Sequence, residues 1–293
     1  MKKQKQKAEE LLNTLVYAWL ALLFAGLPLY MQDKLVMIGN AKYLFFRNTT
    51  LVLGIFVVLA ALWKKISEGK TPGEKGQKRD FSDPWRKTDV FMLLYLLSVA
   101  VAYVFSPNRE MAFLGYPGWY MGLLTQALLV GIYFAVSRYY DGSKSIWWIA
   151  GITAGIVTLL GLLNRLDIDV LGTFQGMENG EWNRTQLLST IGNNNWYAGY
   201  ISVTAGISLT AAFWGKRYVR VLGMLGSLLF FASAITSNST TAILAACGLC
   251  LLLLLLSLQQ RRQLLRVLEI LMLLPLSVFM VRLFIKVHLT GLV

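Results

Sequence analysis

Residues 241–257 read TAILAACGLCLLLLLLS, a stretch without a single Asp, Glu, Lys or Arg. Hydrocarbon offers a backbone no water to bond, so a chain crossing it must be helical and needs roughly 20 mostly apolar residues per crossing. Polar residues bound this stretch on both sides, Ser237 to Thr240 before it and Gln259 to Arg262 after it, as the two faces of a bilayer require. Similar runs lie at 11–30, 50–63, 89–106, 120–137, 146–163, 196–215, 221–237 and 267–285. With the first stretch they predict an all-α, polytopic membrane helix bundle of about nine transmembrane helices, forming one transmembrane domain over residues 1–293. The run at 50–63 is short, and its helix is expected to begin upstream, in the Phe45 to Asn48 segment.

Composition points the same way. The chain is 56% hydrophobic and 15% charged, more apolar than a water-soluble domain of 293 residues can hide. A net charge of +13 would suit nucleic acid. The basic residues, however, fall in short clusters between apolar runs, and no soluble domain offers them a groove. Cys247 and Cys250 lie inside the 241–257 run, which excludes a secreted disulfide framework and a four-cysteine metal site. They are small helix-packing residues, a redox pair being the alternative. Lys2, Lys3, Lys5 and Lys7 precede an apolar run too long for the core of a signal peptide, so the first helix is expected to remain uncleaved.

Orientation follows from Lys and Arg, which concentrate on the cytoplasmic side of membrane proteins. With the N-terminus in the cytoplasm, the inner segments hold 20 of the 28 basic residues and the outer segments eight. A missed helix would scramble this alternation downstream of it. The inner stretch 64–88, with Thr71, Pro72, Gly73 and Gly76 among mixed charges, is expected to be a flexible cytoplasmic loop. The longest outer loop spans 164–195.

Chemistry is expected on the outer side. In the 164–195 loop, Arg184, Ser189, Thr190, Gly192, Asn193, Asn194 and Asn195 lead into Trp196 and Tyr197 at the start of the sixth helix. A helix N-terminus carries unsatisfied N–H groups and partial positive charge, Gly192 permits close backbone approach, and the Asn amides add hydrogen bonds. With Arg184 they form a candidate phosphate site; plain helix capping by the asparagines and a solvated arginine is the alternative. A second outer cluster, Ser237, Asn238, Ser239 and Thr240, offers hydroxyls for sugar or phosphate oxygens, or simply a turn. The second outer segment carries Arg109, then Gly115, Tyr116, Pro117, Gly118, Trp119 and Tyr120, either interfacial anchors or an aromatic surface for a sugar ring. Asp167, Asp169, Glu178 and Glu181 lack a metal-ligand spacing, so no metal and no cofactor is expected. His288, the only histidine, is read as incidental.

The run Ser189-Thr190-Ile191-Gly192-Asn193-Asn194-Asn195-Trp196-Tyr197-Ala198-Gly199-Tyr200 resembles the signature that opens a central helix in the O-antigen ligase and O-antigen polymerase family. The Gly115-Tyr116-Pro117-Gly118 segment and the Ser237-Asn238-Ser239 turn agree in order with that family. The resemblance implies a glycosyltransferase or polymerase of the bacterial cytoplasmic membrane. Its substrate would be a saccharide on a polyprenyl diphosphate, moved to an acceptor at the outer face. It gives Arg184 the role of engaging the diphosphate. Substrate-binding residues are then Arg184, Gly192, Asn193, Asn195, Ser237, Ser239 and Arg109, with the lipid bilayer and the polyprenyl-diphosphate glycan as partners and no nucleic acid. The family usually has an arginine in the later turn, where this chain has Asn238, Ser239 and Thr240, and continues into a large outer loop with a histidine. The sequence stops at Val293, the pattern of a truncated or divergent member, and His288 is not given that histidine's role. Two other function classes fit many helices with short loops: a secondary transporter, disfavoured because polar residues gather at one surface rather than at mid-membrane, and a noncatalytic scaffold of an envelope glycan assembly complex.

Overall fold

The computed structural model describes residues 2–67, 85–175, 186–237, 239–257 and 261–290. These residues are almost entirely α-helical. The chain folds as two compact units, one formed by residues 1–23 and 39–146, the other by residues 24–38 and 147–293. Arg184, Glu178, Glu181, Asn238 and residues 68–84 of the expected 64–88 linker lie outside the described residues, as do the side chains of Lys286 and His288.

Helix α1 (Lys2–Ala21) of the first unit widens into a π-helical turn over Leu22–Gly26 and closes with one more turn, Leu27–Leu29, which belongs to the second unit. Pro28 supplies the reason, since its ring cannot sit behind a standard α-turn and has no N–H to donate. Helix α2 runs Ile38–Ser67, and α3 runs Lys87–Val104. The short α4 (Arg109–Leu114) is capped by Asn108, whose side chain accepts from Met111 N at 3.1 Å. The chain then reverses into α5 (Leu123–Tyr139) through a turn in which Gly115 and Gly122 touch. A Cβ on Gly122 would lie 2.4 Å from Gly115 N, and one on Gly115 would lie 2.4 Å from Met121 N. Only glycine fits either position.

Polar bonds set the far end of this unit. Asp89 is fully buried, accepting from Tyr133 Oη at 2.8 Å, Arg138 Nη2 at 2.7 Å and Arg86 N at 2.9 Å. Asn13 exchanges bonds with Asp141, and Lys64 pairs with Glu9 at 3.0 Å. The rest of α3 presents Phe91, Leu94, Leu97 and Val101 outward, with Phe91 68% exposed. Such a surface belongs against lipid.

The second unit is built on α6 (Ser145–Arg165) from Trp147 onward. It continues through a hairpin of β1 (Leu187–Leu188) and β2 (Gly192–Asn193), then α7 (Asn194–Trp214), α8 (Tyr218–Thr236), α9 (Thr240–Ser257) and α10 (Arg261–Thr290). The hairpin is antiparallel, with Leu187 opposite Asn193 and Leu188 opposite Gly192. The core lies around α7: Tyr197, Ile201, Leu209 and Phe213 pack with Phe230 and Phe231 of α8, Leu253 of α9 and Ile270 of α10. Close approach of α7 and α8 rests on small residues, the usual means by which helices associate where water exclusion gives no force between them. Glu269 in α10 forms an ion pair with Arg220 of α8, and Pro275 is accommodated inside α10.

Among the described residues, seven helices are long and apolar enough to cross a membrane: Gln4–Leu29, α2, α3, α6, α8, α9 and the Leu264–Leu283 part of α10. The chain is therefore a multi-pass membrane protein. Two of the nine expected spans fall short of that measure. Helix α5 has 17 residues, and α7, with 21, carries Asn194, Asn195, Ser202, Thr204, Ser208 and Thr210. Its neighbours in the second unit cover much of it, so α7 needs less apolar surface than a helix facing lipid.

Candidate functional site

Helix α6 ends on Asn164 and Arg165, and these consecutive residues join two polar segments distant in sequence. Asn164 Oδ1 accepts from Ser189 N at 2.8 Å, holding the tip of the hairpin. Arg165 Nη2 donates to Ser237 O at 3.0 Å, holding the turn between α8 and α9. The hairpin tip needs the support. Ser189 has a φ of +56°, a conformation costly for a residue with a side chain, and its hydroxyl is fixed by Val157 O at 2.7 Å. Thr190 Oγ1 donates to Pro28 O at 2.7 Å, tying the tip to the last turn that follows α1. Gly192 has a φ of +91°, and a Cβ there would meet Ile38 Cγ2 at 2.6 Å.

Below the tip, Tyr197 is fully buried. Its hydroxyl donates to Thr158 O at 3.1 Å and lies 2.5 Å from Ser233 Oγ. Its ring rests on Gly161, where a Cβ would be 2.3 Å from both Cζ and Oη. Gly161→Ala is thus expected to displace a ring that two hydrogen bonds hold, costing about 1–3 kcal/mol by overpacking. A thermal melt of the detergent-solubilised chain would read this as a Tm drop of several degrees, and an unchanged Tm would contradict the packing.

The sequence-derived residues separate into three groups. Gly192, Asn193, Asn195, Ser237 and Ser239 lie in the second unit. There Asn193 acts as the N-cap of α7, its side chain accepting from Asn195 N at 2.8 Å, which is the capping alternative. Ser237 and Ser239 are both buried. Ser237 Oγ donates to Ala234 O at 3.0 Å, whereas Ser239 Oγ is buried with no partner among the described residues. Arg109 belongs to the first unit, where it is exposed as the first residue of α4. Arg184 lies outside the described residues.

In the sequence Arg165 stands only as an outer charge and Asn164 as the start of the outer loop, while Asn194 is one of the Asn run's amides but not among the expected substrate-binding residues. Asn194 Oδ1 is buried without a partner among the described residues, near the start of α7. A cation immediately at the end of an apolar run was the available signal for Arg165. Asp169 serves its own loop, accepting from Thr173 N, Thr173 Oγ1 and Phe174 N at 2.8 to 2.9 Å. No cluster of His, Cys, Asp or Glu able to hold a metal occurs among the described residues. In the aromatic segment, Tyr116 and Trp119 are exposed, while Tyr120 is stacked on Tyr43 and so lends one ring face to the fold rather than to a sugar.

Chemically, the second unit holds a half-buried guanidinium, the capped start of a long helix and two oxygens, Asn194 Oδ1 and Ser239 Oγ, without partners among the described residues. A guanidinium carries its N–H donors in a planar fork suited to phosphate oxygens, and the bond to Ser237 O orients that of Arg165. Comparisons with protein families, with curated proteins and with solved structures find no match for this chain.

Proposed function

We propose that the chain is a membrane glycan transferase or polymerase of the O-antigen ligase type, acting on a polyprenyl-diphosphate-linked saccharide at the outer face of the bacterial cytoplasmic membrane. In this reading all nine long helices span the bilayer and the N-terminus is cytoplasmic. The observation that carries it is the junction at Asn164 and Arg165: one helix end fixes both the Asn-rich hairpin and the serine turn, and brings a cation to them. The guanidinium is a fixed partner for a diphosphate, and helix α7 adds the partial positive charge of its N-terminus. Seven apolar helices support a lipid-borne rather than a soluble substrate.

The reaction would be attack of an acceptor hydroxyl or amine on the anomeric carbon, breaking the bond to the diphosphate, which leaves as the anion. Stabilising that leaving group by fixed donors requires no metal. Proton removal from the acceptor requires a base, and the described residues assign none.

Binding and transfer of a radiolabelled polyprenyl-diphosphate glycan by the full chain in proteoliposomes test the proposal. Arg184→Ala is expected to weaken retention of the glycan lipid, and Asn193→Ala more than Asn193→Ser, because serine keeps a capping oxygen. Full retention in both alanine variants would sink the site assignment. Substrate-dependent uptake in place of transfer would make the protein a transporter.

A further inference from the structure

The first unit contains a pocket that the transferase reading does not use. It is a cavity of about 180 Å³ lined by Asn40, Tyr43, Leu44, Arg47, Leu114 and Tyr120. Tyr43 and Tyr120 form one wall, their rings stacked with centroids 4.1 Å apart and planes within 8°. The wall is rigid, since Tyr120 has a φ of +49° in the glycine-bounded turn and its hydroxyl donates to Asn40 Oδ1 at 2.6 Å. Arg47 closes the other side, its guanidinium carbon 5.6 Å from the centre of the Tyr43 ring.

The hydrogen-bonding groups left over are mainly donors. Asn40 Oδ1 accepts from Tyr120, and its amide N–H groups remain to donate. Arg47 uses Nε on Asn48 Oδ1 at 3.1 Å, which leaves its two terminal nitrogens. The Tyr43 hydroxyl is buried with no partner among the described residues. Among the described residues, no carboxylate lines the cavity. A sugar, whose hydroxyls must both give and receive, would find few acceptors here; an anion rich in acceptor oxygens would find several donors.

Position names the source of the anion. From Arg47 to Lys64, near the other end of α2, is a rise of roughly 26 Å at 1.5 Å per residue, close to the thickness of the hydrocarbon core. Arg47 therefore lies at headgroup depth on one side as Lys64 does on the other. Leu44 is partly exposed beside it, giving the pocket an apolar margin for an acyl chain.

We propose that this pocket holds the phosphate of an anionic phospholipid, with Arg47 on the phosphate oxygens and Tyr43 and Asn40 donating beside it. The pocket shares no residue with the Asn164–Arg165 junction on which the transferase reading rests, so either can fail alone.

The full chain, stripped of lipid in detergent, is to be titrated with phosphatidylglycerol and with diacylglycerol and followed by native mass spectrometry. One phosphatidylglycerol should be retained where diacylglycerol is not. Arg47→Ala should weaken that first binding roughly 10-fold or more and Tyr43→Phe about threefold, with Arg47→Lys between them, as expected for charged and neutral hydrogen bonds. Tyr43→Phe preserves the shape of the stack, so its effect survives any folding defect in Arg47→Ala. Equal retention of the two lipids, or unchanged binding in Tyr43→Phe and Arg47→Lys, would overturn the proposal. So would displacement of the lipid by inorganic phosphate, which would make the pocket an ion site, or by a soluble monosaccharide, which would make it a sugar site.

Discussion

Arg165→Ala is expected to lower saccharide transfer on the order of 100- to 1,000-fold, the usual consequence of removing one fixed donor from a developing anion. The argument begins with its position. Arg165 ends α6 half-buried, with Nη2 bound to Ser237 O, so its side chain is oriented before any substrate arrives. A guanidinium held in this way stabilises negative charge without reorganising, and the charge on a diphosphate grows as the glycosidic bond breaks. The effect should therefore appear chiefly in kcat, with a smaller change in KM.

The same residue also supports the turn between α8 and α9, and the two roles make different predictions. A purely structural arginine would lower Tm and the fraction of active protein, while the surviving molecules turned over normally. Arg165→Lys separates them further. Lysine keeps the charge and can reach a carbonyl, but loses the planar fork, so partial recovery of kcat is expected. Wild-type turnover in correctly folded Arg165→Ala would remove the central support for a transferase.

Most of the helical architecture was legible in the sequence because hydrocarbon imposes so few options. Runs such as 241–257 have no alternative to helix, and each apolar run coincides with a long helix among the described residues, seven of them apolar enough to cross a membrane. Helix α7 was harder to weigh. Its polar residues look costly for a lipid-facing span, and only the packing of Tyr197, Ile201 and Phe213 against neighbouring helices explains them. The hairpin was not legible at all. Two-residue strands leave no alternating pattern, and the chain reverses there through positive φ at Ser189, a residue that rarely advertises it.

The polar segments of the site were visible as composition, but what joins them was not. Sequence spacing says nothing of the contact between Arg165 and Ser237, 72 positions apart. The sequence points instead to Arg184, which shares a loop with the Asn run. The tyrosine stack was hidden in the same way, since Tyr43 and Tyr120 meet only through the fold.

A single methyl group at Gly223 is expected to force two packed helices apart. A Cβ there would lie 2.3 Å from Ala212 N, 2.6 Å from Ala211 C and 2.8 Å from Ala211 Cβ. Two of these are backbone atoms of α7, which no rotamer change can move, so α7 and α8 must separate. That parts the layer in which Tyr197, Phe213, Phe230 and Phe231 are buried. Lipid can fill the gap, but the interhelical packing that favours association is lost. Gly223→Ala is expected to cost about 1–3 kcal/mol and Gly223→Val more, even though alanine gains up to about 1 kcal/mol of helix propensity over glycine. Gly226, one turn on, faces only the Ser208 side chain, with Cβ at 2.8 Å, and Gly226→Ala should cost less. Gly248 in α9 has open space around it, so Gly248→Ala should leave Tm unchanged or slightly higher. The order of Tm values in detergent should therefore be Gly248→Ala, then Gly226→Ala, then Gly223→Ala, then Gly223→Val. If Gly223→Ala melts with the wild type, the helices do not approach as closely as described, and the support that α8 gives the Ser237 turn would need another source.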